Sequence, residues 1–535
     1  MSTPPAGDAV RLSQSDLWQR QKSFYCREGV AAWQGKVPFY ATSNAFIANA
    51  YAQMILAYMQ DTAARTPGEV HLTFPIVEVG AGPGIFAFHL VQRLKDLLAL
   101  LDDPRLRFTY VLTDVAQRNL DFWCHHPAWE SHIESGLVDF AALDLLTDTD
   151  PPLELAGAPL SSLIAQGDGP RTPMIALANY VFDSIPTDVF RVESGVLEEG
   201  RVPPSPTFEA DYPENYSVTL EDINSPLTFQ RATLPYYADQ AKDAVVQRYL
   251  DSGREGYLCM PIAAMEVIDK LTALAERELL LISSDKAYSG HAALYAAHEP
   301  ELAFHNEAHS IMVNFEALGE YCRARGGDVY HQRTQQGLAT SAFLLGKRLD
   351  ALPRTRLAVE THLNGFSPGD LFRVSAHLAD TSGDCPLEVL VAHMNLLRWD
   401  PELFNQHLEL ILSEVREVDA SVWKDLADGA RYAATQVYQV PETPDTLMSI
   451  GCVLQEMELY DDALACFERS RAENGENALA SYHMGLCYLG LEDNARAVSA
   501  LEASVAMNPD DVTVKGWLMQ AREWLAEQEQ APPRA

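Results

Sequence analysis

Apolar residues along the first two-thirds of the chain follow two spacings in turn. Short apolar runs, of the length of a buried strand, alternate with stretches in which apolar positions recur every three or four residues. The apolar runs occupy residues 76–79, 108–113, 137–143, 173–178, 279–282, 328–331 and 338–345. From about residue 355 only the helical spacing remains. The pattern predicts an α/β domain with a mostly parallel sheet that ends in antiparallel strands, followed by an all-α region.

A glycine-rich turn follows the first apolar run. It places Glu78, Gly80, Gly82 and Gly84 at alternate positions and leads directly into an apolar helix. Glycines let the backbone turn tightly and come close to a ligand. The spacing is not the Gly-x-Gly-x-x-Gly of dinucleotide-binding folds, and no Gly-Lys-Ser/Thr follows as it does in a P-loop. An ordinary strand-to-helix turn is the alternative explanation.

Polar residues follow three of the later apolar runs. Asp114 ends the second run, Asp144 follows the third, and Asn179 follows the fourth, with Tyr180 and Asp183 just beyond. The carboxyl ends of parallel strands line the ligand crevice of an open α/β sheet. A carboxylate at the tip of the second strand can accept both hydroxyls of a ribose. For Asp144, a loop position without a ligand is an equal alternative.

The order Glu-x-Gly-x-Gly-x-Gly resembles motif I of the class I methyltransferases that use S-adenosyl-L-methionine (SAM). The resemblance implies a Rossmann-like domain with a seven-stranded sheet, SAM as the cofactor, Asp114 at the ribose and Asp144 at the adenine amino group. The cofactor-binding residues that it implies are Glu78, Gly80, Ala81, Gly82, Gly84, Asp114, Val115 and Asp144.

The motif Asn179-x-x-x-Asp183-x-x-Pro186 is similar to one in the MidA-type bacterial methyltransferases and the related mitochondrial complex I assembly-factor methyltransferases. Landmarks over residues 20–348 follow the order of that family. The family methylates a protein arginine. Because they follow the fourth strand, where a parallel sheet lines its ligand crevice, Asn179, Tyr180 and Asp183 are the candidates for holding the methyl acceptor, with Asp183 as a candidate proton acceptor.

The chain departs from the family's pattern at three places. It has Tyr180 where the family has Glu, Leu258 where the family has an acid, and Ser284-Asp285-Lys286 in place of Asp-Tyr-Gly. Carboxylates suit arginine methylation because they pair with both edges of a guanidinium. An arginine acceptor thus depends on positions that differ here, whereas the glycine turn and Asp114 are retained.

An aromatic-rich helical segment, residues 12–65, precedes the first strand. It either caps the sheet or closes over the cofactor. Thr42 and Ser43 are expected to cap a helix that starts at Ala45. Residues 39–43 also match the N-terminal segment of the resembling family, so Thr42 and Ser43 are candidate cofactor-binding residues.

The last hundred residues contain an internal repeat. Gly451 and Gly485 are 34 residues apart, and so are Ala463 and Ala497. This period, with small residues where paired helices pack closely, resembles the tetratricopeptide (TPR) repeat. Such arrays usually bind a protein or peptide. Residues 441–535 hold 17 acids and 6 bases, which favours a basic partner segment. A purely structural solenoid or a homodimer surface is the alternative.

The net charge and the cysteine content indicate which kinds of binding partner and which cellular compartment to expect. The net charge of −36 argues against nucleic acid or an anionic membrane as a partner, and no apolar run is long enough to span a bilayer. The eight cysteines are scattered without a C-x-x-C pair, which favours reduced thiols and a cytoplasmic protein. His305 and His309 have the spacing of metal ligands on a helix, but no third ligand accompanies them, and no metal is expected.

The sequence therefore predicts a SAM-dependent methyltransferase domain followed by a TPR-like solenoid. The predicted segments are an N-terminal helical cap (1–70), a methyltransferase domain (71–350, with an insertion at about 195–275), a helical linker or degenerate repeats (355–440) and TPR repeats with a capping helix (441–535). The leading function is methylation of a protein side chain. The alternatives are a small-molecule methyltransferase with a regulatory TPR tail, and a non-catalytic SAM-binding assembly or scaffold protein.

Overall fold

The structure is a computed structural model, and it describes most of the chain. The described residues are 9–33, 40–68, 70–164, 171–206, 216–219, 227–290, 300–305, 307–333, 338–365, 368–380 and 385–530. By its internal contacts the chain divides into two compact units, Met1–Phe372 and Arg373–Ala535.

All strands among the described residues belong to the first unit. They are β1 (Val10–Arg11), β2 (Leu72–Val79), β3 (Leu106–Asp114), β4 (Val138–Ala142), β5 (Met174–Asn179), β6 (Asp188–Glu193), β7 (Val196–Val202), β8 (Tyr216–Thr219), β9 (Thr228–Arg231), β10 (Gly256–Met260), β11 (Leu279–Tyr288), β12 (Glu301–His305), β13 (Ala308–Ile311), β14 (Val313–Asn314), β15 (Asp328–His331) and β16 (Leu338–Leu345).

Helices occur in both units, and α10 crosses the division between them. In the first unit they are α1 (Leu17–Glu28), α2 (Ala45–Arg65), α3 (Ile85–Leu101), α4 (Gln117–His125), α5 (Glu130–Glu134), α6 (Gln240–Asp251), α7 (Ile262–Leu274), α8 (Phe315–Ala324) and α9 (Pro353–Asn364), followed by α10 (Pro368–Asp380). In the second unit they are α11 (Leu387–Leu396), α12 (Glu402–Gln406), α13 (Leu408–Glu414), α14 (Ala420–Thr435), α15 (Thr446–Glu456), α16 (Tyr460–Asn474), α17 (Ala478–Gly490), α18 (Asn494–Met507) and α19 (Val512–Gln530).

The largest sheet of the first unit has the strand order β15-β16-β11-β5-β2-β3-β4, and the short β14 pairs with β11. The strands from β11 to β4 run parallel to one another, whereas β16 runs antiparallel to both β11 and β15. Nearly every residue of β2 and β5 is buried. Strands covered on both faces read as continuous apolar runs, which is why the sequence pattern locates them. The predicted mixed α/β class is confirmed.

A second sheet has the order β1-β7-β6-β10, with β9 pairing β7, and a third has the order β13-β12-β8. The turn between β6 and β7 consists of Ser194 and Gly195, which have φ of +50° and +74°. Two residues with positive φ form the hairpin turn whose twist matches the flanking strands. The segment 195–275, predicted as an insertion, supplies β7, β8, β9, α6, β10 and α7.

The helix predicted to begin at Ala45 is capped by a different residue from the ones expected. The side-chain oxygen of Asn44 accepts a hydrogen bond from the Ile47 N–H at 3.0 Å. Asn44 has extended backbone, with φ −105° and ψ 165°, as an N-cap residue does. The prediction that Thr42 and Ser43 cap α2 is therefore wrong.

Helix α9 belongs to the first unit, which ends at Phe372. The carboxylate of Asp61, which is buried in α2, accepts hydrogen bonds from the Thr355 N–H at 2.8 Å and the Thr355 hydroxyl at 2.9 Å. A carboxylate at a helix N-terminus satisfies donors that the helix itself leaves unpaired. This contact holds the start of α9 against α2.

The second unit contains two helix pairs that repeat at the spacing seen in the sequence. Helix α16 begins at Tyr460 and α18 begins at Asn494, 34 residues later. A Cβ at Gly451 would lie 2.4 Å from the Phe467 ring, and one at Gly485 would lie 2.6 Å from the Leu501 side chain. The equivalent glycines therefore mark the same close approach between the paired helices.

None of the helices in the described stretches has both the length and the apolar character that crossing a bilayer requires.

Candidate functional site

A cavity lies at the carboxyl ends of β2, β3 and β5, where an open parallel sheet places its ligands. The space not filled by protein atoms is about 850 Å³, part of it open to solvent. The residues that line it are Trp18, Gln21, Lys22, Tyr25, Trp33, Gly80, Asp114, Val115, Asn119, Leu143, Asp144, Leu145, Leu146, Tyr180, Val181, Ser184, Ile185 and Pro186.

The glycine turn after β2 forms the floor of the cavity. Gly80 and Gly82 have φ of +65° and +55°, a region that glycine enters without the steric cost of a Cβ. A Cβ at Gly80 would lie 2.9 Å from the Val181 side chain, and one at Gly82 would lie 2.9 Å from Nε1 of Trp33. The turn therefore needs glycine both for its backbone and for the groups packed on it.

Asp114 lies at the end of β3 and joins the glycine turn to the next helix. Its carboxylate accepts from the Gly82 N–H at 3.0 Å and from the Ala116 N–H at 2.9 Å. Burial raises the pKa of Asp114, and the hydrogen bonds from Ala116, Asn119 and Gly82 act in the opposite direction. The side chain lines the cavity as predicted, but it also holds the turn in place.

Asp144 lies beyond β4 and pairs with a lysine from α1. The Lys22 ammonium is 2.5 Å from Oδ2 of Asp144, and the Leu146 N–H donates to Oδ1 at 3.0 Å. Burial acts to raise the pKa of Asp144, but these two donors outweigh it, and the pKa lies below its ordinary value. Both carboxylate oxygens thus have partners within the protein.

The aromatic N-terminal segment forms the opposite wall. Helix α1 contributes Trp18, Gln21, Lys22 and Tyr25 to the lining, and Trp33 follows it in a short 3₁₀ helix. The rings of Tyr25 and Trp33 stack with centroids 5.8 Å apart. Of the two arrangements that the sequence left open, the described part of residues 12–65 has α1 against the cavity and α2 packed on α3.

Tyr180 follows β5 with a strained backbone. Its φ is +52°, which is uncommon for a bulky residue and is concentrated at functional sites. The Tyr180 N–H donates to the Ser284 carbonyl at 3.0 Å, which anchors this conformation to β11. The side chain lines the cavity, and burial raises the pKa of the phenol.

Asp183 lies behind the cavity wall, next to a second buried carboxyl group. Its N–H lies 3.4 Å from Oδ2 of Asp285, and the Ser184 hydroxyl donates to its Oδ1 at 2.8 Å. Asp285 is fully buried and accepts from the Phe182 N–H at 2.9 Å and the Lys286 N–H at 2.8 Å. Burial, and for Asp285 the neighbouring charge of Asp183, raises the pKa of both carboxyls. Two buried carboxyl groups in contact share one proton at neutral pH.

Several predicted site residues do not line the cavity. Asn179 accepts from the Tyr51 hydroxyl at 2.8 Å and from the Ser284 N–H at 3.1 Å, within the protein interior. Glu78 accepts from the Tyr110 hydroxyl at 2.7 Å, and burial raises its pKa to about 8. The remaining residues outside the lining are Ala81, Gly82, Gly84, Asp183, Thr42 and Ser43.

Three residues that sequence reasoning missed are Lys22, Ser184 and Asp285. Asp285 stands at the carboxyl end of the fifth parallel strand, which is the same kind of position that identified Asp114, so the pattern alone could have indicated it. Ser184 is next to a predicted site residue. Lys22 gave no signal, because only the folded chain brings it to Asp144, 122 residues away.

The two histidines with metal-ligand spacing do not lie on a helix. His305 ends β12 and His309 lies in β13, which pair as antiparallel strands. Within the described residues, no group of three or more His, Cys, Asp or Glu side chains is arranged to hold a metal ion.

No family model matches the chain, and no curated protein matches it. Among solved structures, it is similar to an uncharacterized COG1565 superfamily protein from Burkholderia thailandensis, with 13% identity and a TM-score of 0.40 over 65% of this chain and 90% of that one. A COG1565 superfamily member from the same organism, bound to S-adenosyl-homocysteine, shows 14% identity and a TM-score of 0.39 over 65% of this chain and 92% of that one.

A third solved structure, an O-methyltransferase family protein from the same organism, shows 10% identity and a TM-score of 0.22 over 62% of this chain and 71% of that one. Similarities at such low identities and TM-scores carry no information about function.

Proposed function

We propose that this chain is a SAM-dependent methyltransferase of the class I type. The observation that supports this most strongly is that Gly80, Asp114 and Asp144, expected at three parts of one nucleoside cofactor, line a single cavity. They come from the ends of three neighbouring strands, so their convergence follows from the parallel sheet and not from sequence proximity. An ordinary strand-to-helix turn would not require this convergence.

The residues of the cavity fit the cofactor. Gly80 leaves the floor without a side chain, and its backbone conformation excludes most other residues. Asp114 is held by two backbone donors and still borders the open space, where it would accept the ribose hydroxyls. Trp33 and Lys22 cover the glycine turn and Asp144, so binding there requires these two side chains to rearrange.

SAM supplies an electrophilic methyl group on a sulfonium. The protein's part is to orient an acceptor in line with that methyl and to exclude water. Tyr180 and Ser184 border the cavity on the side of β5 and are placed to contact the acceptor. Asn179 positions this region from behind by fixing β5 against α2 and β11 through Tyr51 and Ser284.

We propose a protein side chain as the acceptor, recruited by the repeated helix pairs of α15 to α18 acting as TPR units. The acidic composition of residues 441–535 supports a basic partner segment. An arginine acceptor fits the resemblance to the MidA-type family. The acid pair Asp183–Asp285 lies behind Ser184 and adds negative charge on that side of the cavity, which also favours a cationic acceptor.

Calorimetric titration of SAM and S-adenosyl-homocysteine into the full chain tests the proposal. We expect both ligands to bind the wild type, and Asp114→Ala to weaken both by about a hundredfold or more, because a buried charged acceptor is lost from the ribose contact and from the glycine turn. Asp121→Asn is the matched control, since Asp121 is an exposed carboxylate of α4 that pairs only locally.

Two results would contradict the proposal. Failure of both ligands to bind the wild type would favour a scaffold protein on this fold. Equal weakening by Asp114→Ala and Asp121→Asn would show that the cavity is not the binding site.

A further inference from the structure

The loop after β5 contains a chain of polar groups that starts at the cavity and ends in the protein core. Ser184 lines the cavity, and its hydroxyl donates to Asp183 at 2.8 Å. Asp183 is 4% exposed, and its N–H lies 3.4 Å from Oδ2 of Asp285, which is 0% exposed. Burying two carboxyl groups in contact is costly unless they share a proton. Such an arrangement is typical of a functional site.

We propose that Ser184, Asp183 and Asp285 form a relay that accepts the proton released by the methyl acceptor. The inference rests on the proposed function and adds Ser184 and Asp285 to it. It also changes the role of Asp183, which the sequence placed in contact with the acceptor. Ser184 is the residue that meets the acceptor, Asp183 receives the proton, and Asp285 is a positioning residue.

The step balances in atoms and charge. A lone pair of the acceptor N or O forms the new bond to the methyl carbon as the bond from that carbon to the sulfonium sulfur breaks, and the electron pair of the broken bond stays on sulfur. The acceptor's proton passes to the Ser184 oxygen while the Ser184 proton passes to the Asp183 carboxylate. The sulfonium charge and the carboxylate charge are thereby both neutralised.

Asp285 keeps the relay aligned. One of its oxygens accepts from the Phe182 N–H, and the other accepts from the Lys286 N–H. The Asp183 N–H also lies 3.4 Å from the first oxygen. These donors tie the short 3₁₀ helix Phe182–Ser184 to β11, which fixes the direction of the Ser184 hydroxyl and holds a carboxyl group against Asp183.

The charged and titratable groups around the pair include groups of both signs. Lys286 lies near Asp183 and is partly balanced by Glu301, and His305 faces Lys286. The phenols of Tyr25, Tyr51 and Tyr180 also face the pair, and burial raises the pKa of each above its ordinary value, so they stay neutral. A single charge next to the cavity would attract a sulfonium.

The test compares SAM with S-adenosyl-homocysteine, because the two differ by the methyl group and its positive charge. Their dissociation constants are measured by calorimetry with the full chain from about pH 4.5 to about pH 8, and the ratio isolates the charge at sulfur. The pKa of Asp183 lies above its ordinary value, so the pair gains its negative charge as pH rises through that value. We expect the preference for SAM to increase by about fivefold or more over this range.

Three variants show which residue causes the pH dependence of the preference for SAM. Asp183→Asn should make the ratio independent of pH. Ser184→Ala should move the midpoint to higher pH, because the Ser184 hydrogen bond lowers the pKa of Asp183. Asp285→Asn should leave the midpoint near that of the wild type, because an amide also donates to Asp183 without carrying charge.

A matched control is Asp139→Asn. Asp139 is a buried carboxylate that accepts from the Leu155 and Ala156 N–H groups at 2.9 and 3.1 Å, outside the cavity lining. It should reproduce the wild-type profile. Thermal unfolding of each variant checks that it is folded, and Ser184→Ala is the smallest change if Asp285→Asn does not fold.

The outcomes separate this inference from the proposed function. A ratio that does not depend on pH in the wild type, or that Asp183→Asn leaves unchanged, overturns the relay while SAM binding stands. If Asp285→Asn shifts the midpoint of the pH dependence and Asp183→Asn does not, the titrating charge lies on Asp285. That result would also overturn the relay. If neither ligand binds the wild type, the proposed function fails and the relay fails with it.

Discussion

The cavity has two walls that are held in different ways. We call Gly80, Asp114 and Tyr180 the strand wall, and α1 together with Trp33 the helix wall. The strand wall is fixed by backbone hydrogen bonds of the sheet and its turns, such as those from the Ala81 N–H to Thr113 and from the Tyr180 N–H to Ser284. The helix wall is attached through side chains.

Two contacts are central to the helix wall. Gln21 exchanges two hydrogen bonds with the backbone of His309, at 2.7 and 2.8 Å, and Lys22 pairs with Asp144. A wall held by side chains can move without breaking the sheet, whereas the strand wall can move only if the sheet does. We therefore expect the helix wall to move more readily than the strand wall.

The largest expected effect comes from the buried Glu78 beneath the strand wall. Burial raises its pKa to about 8, above the ordinary value of 4.5. The folded state therefore holds a proton that the unfolded state releases, and the free energy of unfolding falls as pH rises between these two values. Relative to Glu78→Gln, the wild type should lose about 3 kcal/mol between pH 5 and 8. Urea unfolding at the two pH values measures this.

If the free energy of unfolding changed with pH by the same amount in the wild type and in Glu78→Gln, the buried position of Glu78 would be contradicted. Tyr110→Phe is the companion variant, because it removes the 2.7 Å hydrogen bond to Glu78. That hydrogen bond lowers the pKa of Glu78. Its loss should raise this pKa, so the free energy of unfolding of Tyr110→Phe should depend on pH more steeply than that of the wild type.

The next effect concerns the contact between the walls at Gly82. Gly82→Ala introduces a Cβ 2.9 Å from Trp33 in a backbone region that disfavours alanine. We expect it to lower the free energy of unfolding by about 2 kcal/mol. In a Trp33→Ala background the steric part disappears, so the same change should cost about 1 kcal/mol less. Urea unfolding of the four proteins measures the coupling, and an equal cost in both backgrounds would show that the walls do not touch there.

A smaller effect is expected when the helix wall is detached. Gln21→Ala leaves the buried N–H and C=O of His309 without their partner, which should cost about 1–2 kcal/mol. Hydrogen exchange should quicken in α1 and stay unchanged in β2 and β3. Gln19→Ala is the control, because Gln19 is an exposed residue of the same helix. Faster exchange throughout the sheet would show that the two walls form one cooperative unit.

The smallest effect is expected for Lys22→Met. The ion pair with Asp144 is partly exposed, so stability should change by less than about 1 kcal/mol. Affinity for SAM should rise by about two- to fivefold, because Asp144 becomes available and a positive charge leaves the cavity. Calorimetry measures this, with Lys95→Met on the exposed face of α3 as the control. A fall in affinity would make Lys22 part of the binding surface.

The contrast between the walls also explains what the sequence could predict. Strand ends follow from apolar runs, so β15 and β16 lie at the predicted residues, and Asp114 lines the cavity. The side chain of Asn179 was expected at the cavity and instead bonds within the interior, because pattern identifies a strand end but not the direction of each side chain.

The position of the helix wall could not be predicted for a different reason. The contacts of Gln21 and Lys22 join residues that are 288 and 122 positions apart, and neither periodicity nor composition encodes such a pairing. The acid pair was missed because Ser284-Asp285-Lys286 was aligned with the family motif as a whole, although a carboxylate at a strand end was itself the informative feature.

The position of Trp33 on Gly82 has a consequence for the rate of binding. A ligand that reaches the glycine turn must wait for the indole ring to leave, so the observed association rate levels off at high ligand concentration instead of rising in proportion to it. The ring also moves from a packed contact to a new environment when the ligand arrives. The protein thus contains its own fluorescent reporter of occupancy, at the point where ligand and chain compete for the same space.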